Sequence, residues 1–307
     1  ALPPSGQAAW EAEFAKYQQI PQFREENPTM DLAGFKRIYW WEWAHRLLGR
    51  AVGLVWAGGF LVFWLTRRIP PGWTPRLLTL GLLGGLQGVI GWWMVSSGLV
   101  AGMTSVASYR LAVHLGLAFA ILGLIAWSAL SLGRSEAELL RARRAGEIKL
   151  FSMTTGLMHL AFVQILIGAL VAGIDAGRMY TGWPRMGGEW IPSALWDAAL
   201  GWRNFFENPA LVQFIHRAVA YLLTAFAVVV FLRARRSPHP VTRGAYGVMI
   251  AALAVQVLLG IMNVIHASPL PLALAHQIGA VALFTLILRA RHHARYPYET
   301  SVRGTIR

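Results

Sequence analysis

The chain has 307 residues, of which 56% are hydrophobic and 14% charged, with 14 tryptophans, no cysteine and a formal net charge of +14. Soluble domains carry about 25% charged residues, and the apolar residues here gather in blocks long enough to cross about 30 Å of hydrocarbon, so the composition excludes a water-soluble domain and predicts an all-α integral membrane protein. The lack of cysteine excludes a disulfide scaffold, thiolate-ligated zinc or iron–sulfur centres, thiol catalysis and thioether-bound haem.

In chain order, residues 1–41 read as an external segment, folded around Trp10, Phe14, Tyr17, Ile20, Phe23, Phe35 and Tyr39. Spans are predicted at 41–65, 77–96, 108–132 and 150–172. An aromatic loop over 173–207, with Trp183, Trp190, Trp196 and Trp202, suits the membrane–water interface. Three further spans are predicted at 208–232, 244–265 and 271–290. The segments between spans divide by charge. Residues 66–76, 133–149, 233–243 and 289–307 hold 17 Lys/Arg against four acids, whereas 1–41 and 173–207 hold seven against nine. The two kinds alternate, as the positive-inside rule requires. The C-terminus is therefore expected on the cytoplasmic (or matrix) side, and the membrane is expected to be a bacterial inner membrane. The positive charge records orientation in a lipid bilayer, and nucleic acid is not an expected partner.

The chain also repeats itself. His45-Arg46 in the first span corresponds to His216-Arg217 in the fifth, Gln87-x-x-x-Gly91 to Gln256-x-x-x-Gly260, and His114 to His276. The motif Gln164-x-x-x-Gly168 opens the second half and has no mate in the first. Orientation and repeat together predict two pseudo-symmetric four-helix bundles with seven of eight spans present, the eighth preceding residue 1. The expected division is an external segment (1–41), a first half (42–149) and a second half (150–307).

Ionisable groups inside spans are functional candidates. Of nine histidines, His239, His292 and His293 fall in basic cytoplasmic segments and are expected to be solvated. His266 lies in a short external turn, and His159 suits an interhelical hydrogen bond. His45, His114, His216 and His276 are different: each lies one to two turns inside the outer surface. Any one of them alone would read as a helix-packing residue, but four at matched depth in a duplicated frame suggest two sites. Zinc needs further protein ligands, whereas haem iron accepts two axial imidazoles. Arg46, Arg50, Arg110 and Arg217 lie close in sequence to these histidines and suit haem propionates, although snorkelling toward the interface would also explain them. Glu42 is the one acid near a candidate histidine. It shares a helix face with His45 and Arg46, fit either for acid–base chemistry or for a plain ion pair. On the residues alone, an oxidoreductase acting on haem, a di-haem b-type electron-transfer cytochrome and a repeat-built transporter all remain open. The transporter fits least, because the histidines lie high rather than at mid-membrane.

The segment 35–50, FKRIYWWEWAHRLLGR, together with the run from Tyr17 to Phe23, His114, His216-Arg217 and His276, resembles the haem A synthase family in its cysteine-free alphaproteobacterial and mitochondrial form. The resemblance covers essentially the whole chain, apart from the first of the family's eight spans. It implies oxidation of a methyl group of haem O to the formyl group of haem A by successive hydroxylations, in cytochrome oxidase biogenesis. It further implies that His216 and His276 ligate a resident haem B, that His45 and His114 hold the substrate haem, and that Glu42 serves the chemistry. Implied partners are an external electron donor, haem O synthase and oxidase assembly factors. No flavin or nicotinamide fingerprint is visible.

Overall fold

The computed structural model describes residues 2–98 and 104–298. Among these residues there is no strand, only an isolated bridge between Met186 and Glu189, and seven helices are long and apolar enough to cross a membrane. The chain is an all-α integral membrane protein. It forms two compact units, residues 1–114 and 115–307.

In the first unit, α1 (Gln7–Tyr17) and α2 (Pro21–Glu26) precede the long helix α3 (Leu32–Leu65). The start of α3 is set by Asp31, whose carboxylate accepts from the Gly34 backbone N–H at 2.7 Å. The helix thus begins nine residues before the predicted span. Its first turns are held by rings rather than by lipid: Trp10 lies 4.9 Å from Tyr39, and Phe14 and Tyr17 lie 5.3 and 5.2 Å from Phe35. Helix α4 (Thr74–Ser97) opens with Pro75, whose missing N–H costs nothing in a first turn. Helix α5 (Ser108–Leu132) supplies His114 to this unit. Broad apolar faces of α3 and α4 are exposed, among them Val55, Leu82 and Trp92, as expected of helices facing hydrocarbon.

In the second unit a short amphipathic helix, α6 (Glu136–Arg144), starts with a capping box between Ser135 and Glu138. It is followed by the span α7 (Ile148–Gly173). The loop that follows α7 contains two single-turn helices, α8 (Ala176–Met179) and α9 (Asn204–Glu207). Its tryptophans Trp183, Trp190, Trp196 and Trp202 are 46–74% exposed, which fits an interfacial belt. Three spans complete the unit: α10 (Pro209–Ala234), α11 (Pro240–Ile265) and α12 (Leu270–Arg295). The core between them is apolar, with Leu157, Leu223, Met249, Leu253, Leu283 and Ile287 at its centre. One buried polar pair crosses it. The Thr154 hydroxyl donates to the Leu150 carbonyl, so the Tyr246 hydroxyl is left to donate to Thr154.

Asn208 fixes where α10 enters the membrane. Its side-chain oxygen accepts from the Ala210 and Leu211 N–H groups at 2.9 and 3.2 Å, while its amide donates to Asn204 at 2.8 Å. Asn208→Ala removes the cap and the amide's bonds to Asn204 and to the Ala194 and Leu195 carbonyls, while Asn204 keeps the Asp197 N–H. It is expected to cost about 1–3 kcal/mol, read as a lower thermal midpoint in detergent. An unchanged midpoint would show that the loop, not the cap, holds this end.

The inner end of the unit differs from the sequence expectation. His292 and His293 are not solvated; they are 1% and 4% exposed. The His292 ring packs 5.1 Å from Trp127 and 5.0 Å from Tyr296, and the His293 ring 5.5 Å from Tyr298. Backbone and side-chain hydrogen bonds close this end, including Glu147 N–H to the Ala294 carbonyl at 2.8 Å and Arg134 to the Tyr296 carbonyl at 2.7 Å.

Candidate functional site

Each unit contains a pair of the candidate histidines. In the first, His45 of α3 and His114 of α5 lie within electrostatic reach of each other; in the second, the same holds for His216 of α10 and His276 of α12. Both members of the second pair are half-buried residues. Among the described residues no group of three His, Cys, Asp or Glu side chains converges as a metal site. Paired imidazoles without a third ligand suit the two axial positions of haem iron better than tetrahedral zinc.

Three of the four imidazoles are seated in the same way, a feature the sequence marked only as a repeat signature. The amide nitrogens of Gln87, Gln164 and Gln256 donate to the backbone carbonyls of His114, His216 and His276 at 3.0, 3.0 and 2.9 Å. The same nitrogens lie 3.3, 3.1 and 3.2 Å from the Nδ1 atoms of those rings. One turn further along, Gly91, Gly168 and Gly260 face the ring edges. A Cβ there would stand 2.9, 3.1 and 3.0 Å from the respective Cε1 atoms. These cradles fit a flat-ringed ligand carried by imidazole, because they fix the ring without enclosing it.

The surrounding charges are arranged unevenly. In the first unit, Glu42 accepts from Arg46 at 2.9 Å, with both side chains more than half exposed. Glu42, Arg46 and Arg50 line one cleft of about 80 Å³ with Tyr39 and Trp43. Arg110 donates to the Trp93 carbonyl at 2.8 Å and stacks on the Trp93 ring at 4.4 Å, which ties it to the C-terminal end of α4. In the second unit, Arg217 donates to the carbonyls of Gly182 and Tyr180 at 2.8 and 2.9 Å, and Gln213 donates to that same Tyr180 carbonyl at 3.1 Å. Arg217 thus tacks the loop between α7 and α10 beside His216, and its buried Nε has no protein partner.

The remaining histidines take no part. His159 and His266 each bond back to their own helix, at the Thr155 and Met262 carbonyls, 2.9 and 2.8 Å away. The interhelical bond expected of His159 is therefore an intrahelical one.

The family model described as cytochrome oxidase assembly protein (COX15-CtaA) matches residues 1–288. The chain is 81% identical to a haem A synthase of Paracoccus denitrificans, over all of this chain and 81% of that one. It is 60% identical to a haem A synthase of Ruegeria pomeroyi, over 99% of this chain and 80% of the relative. It is 54% identical to one of Cereibacter sphaeroides, over all of this chain and 81% of the relative.

Proposed function

The chain belongs to the family of cytochrome oxidase assembly proteins that includes the haem A synthases, and from that premise we propose that it is itself a haem A synthase, a membrane oxidoreductase that converts haem O into haem A. The observation that carries the reading is a pair of imidazoles in each unit, three of the four seated alike, with a carboxylate beside only one pair. In this reading one ring methyl of haem O is hydroxylated twice, and the gem-diol loses water to leave the formyl group. His45 and His114 hold the substrate haem, and His216 and His276 hold a resident haem B. When bound, that haem supplies one-electron redox chemistry.

The chain's own groups do the rest. The seats fix the imidazole rings, and Arg46, Arg50, Arg110 and Arg217 offer cations to propionates near the outer surface. Glu42 holds or moves a proton beside the substrate. Oxidising a methyl to a formyl group removes four electrons from haem O, so the external electron donor acts together with an external oxidant that takes up the balance. Haem O synthase and oxidase assembly factors fit as the neighbours that supply substrate and take product. The charge alternation supports a bacterial inner-membrane location with a cytoplasmic C-terminus. An electron-transfer cytochrome without a substrate is not supported, since the relatives carry the synthase name along the whole chain.

Mass analysis of haems extracted from the purified protein tests the reading. Haem B is expected together with haem O, a hydroxylated intermediate or haem A. Haem B alone, filling two sites, would favour the cytochrome, and protein free of haem would overturn both.

A further inference from the structure

Beyond the ligands themselves, the structure repeats one three-part contact at three histidines: an amide on the His carbonyl, the same amide against the ring, and a glycine at the ring edge. We propose that Gln164 and Gln256 are positioning residues that set the rotation of the His216 and His276 imidazoles, and that Gln87 does the same for His114. This rests on the reading of His216 and His276 as ligands of the resident haem.

The distances define how the amide acts. The Gln164 nitrogen is 3.1 Å from Nδ1 and 3.3 Å from Nε2 of His216, and the Gln87 nitrogen is 3.3 and 3.4 Å from the same atoms of His114. A donor nearly equidistant from both ring nitrogens cannot lie in the ring plane, because it would overlap Cε1 on one side or the rest of the ring on the other. It therefore lies over the face, as an N–H directed at the π system. The in-plane lone pair that would bind a metal stays free. The hydrogen bond to the His carbonyl fixes the amide's own orientation, since the opposite assignment would set two carbonyl oxygens against each other. At His114 and His216, with the face covered and the Cε1 edge against glycine, the ring cannot turn about its Cβ–Cγ bond without striking one or the other; at His276 the Gln256 nitrogen stands 3.2 Å from Nδ1 and Gly260 meets the Cε1 edge.

Two further observations separate this from ordinary helix packing. The Oε1 atoms of Gln87, Gln164 and Gln256 are all buried without a hydrogen-bond partner. An amide that gives up half its hydrogen-bonding capacity at a buried site is costly if packing is its only role. The Gln256 oxygen is also directed at α12, where a Cβ on Gly279 would stand 2.1 Å from it. Gly279 thus leaves room for the amide that seats His276, three residues earlier on the same helix.

The mutual angle of two axial imidazoles governs the g values of an oxidised low-spin haem, so the test is spectroscopic. Full-length protein is purified with its haem, and electron paramagnetic resonance spectra are compared for wild type, Q164M, Q256M and G279A. Methionine keeps length and bulk but donates nothing. G279A displaces the Gln256 amide while leaving both glutamine and histidine in place. Each variant is expected to shift and broaden the largest g value and to weaken haem retention about 10–100-fold, as for other groups that orient a metal ligand. T154V, which removes a buried interhelical hydrogen bond elsewhere in the same unit, is expected to leave the spectrum unchanged. Wild-type spectra and retention in all three test variants would overturn the proposal while leaving the haem reading intact, and so would an equal shift in T154V. A wild-type protein lacking haem B would remove the reading itself.

Discussion

Replacement of His216 or His276 by alanine is expected to remove most of the haem B that purifies with the wild-type protein, a loss of tenfold or more by pyridine haemochrome absorbance. On the proposed assignment each imidazole would supply one of the two protein bonds that hold the haem, so either variant removes one, and groups that merely orient a metal ligand already account for about 10–100-fold in affinity. The fold has little reason to fail with it. Both residues are half-buried, and neither belongs to the apolar centre of the unit, which lies around Leu157, Leu223 and Met249. His159→Ala and His266→Ala provide the contrast. Each of these histidines bonds only to a carbonyl of its own exposed helix turn, and haem content should remain at the wild-type level. Full haem B content in both His216→Ala and His276→Ala would remove this pair from the cofactor site.

The spans and their order were readable because lipid imposes a long apolar run that no other element has. The ends were less so. An apolar window does not register that Asp31 caps a helix whose first turns pack on Trp10, Phe14 and Tyr17, so α3 starts nine residues before the run it was expected to match. At the other end, basic neighbours suggested that His292 and His293 are solvated. Helical periodicity argued otherwise. Leu283, Phe284, Ile287 and Leu288 form a buried face that continues one turn on at His292, so the pattern, not the local charge, decided their burial. The candidate histidines, Glu42 and the arginines stood out because charge is costly within a span. Their uses were not fixed by position alone. Arg217 spends two donors on the loop at Tyr180 and Gly182, which only the return of that loop can reveal. The glutamine seats were present in the sequence as a repeat, yet the contact that gives them meaning joins residues 20 to 52 positions apart.

Glu42→Ala is expected to retain the resident haem B and to lower haem A formation by about 10²–10⁴-fold, the range for loss of a positioned acid or base. The stability side of the argument is small. The Glu42–Arg46 pair is 2.9 Å long, but its side chains are 61% and 57% exposed, and exposed pairs of this kind contribute about 0–1 kcal/mol. A fall of that size in activity would therefore report chemistry rather than unfolding, and an unchanged haem B spectrum in the same preparation would confirm that the second unit is intact. Glu42→Gln then separates the two roles open to the carboxylate. A glutamine can still accept a hydrogen bond from Arg46 within the cleft that Arg50 and Tyr39 also line, but it neither carries a charge nor exchanges a proton as a base. Activity lost in both variants assigns Glu42 to proton handling. Activity lost in Glu42→Ala and restored in Glu42→Gln assigns it to holding Arg46 for the substrate's propionates. Normal haem A output from both, measured by mass in cells supplied with haem O, would take Glu42 out of the reaction and leave the asymmetry of the two units without a chemical meaning.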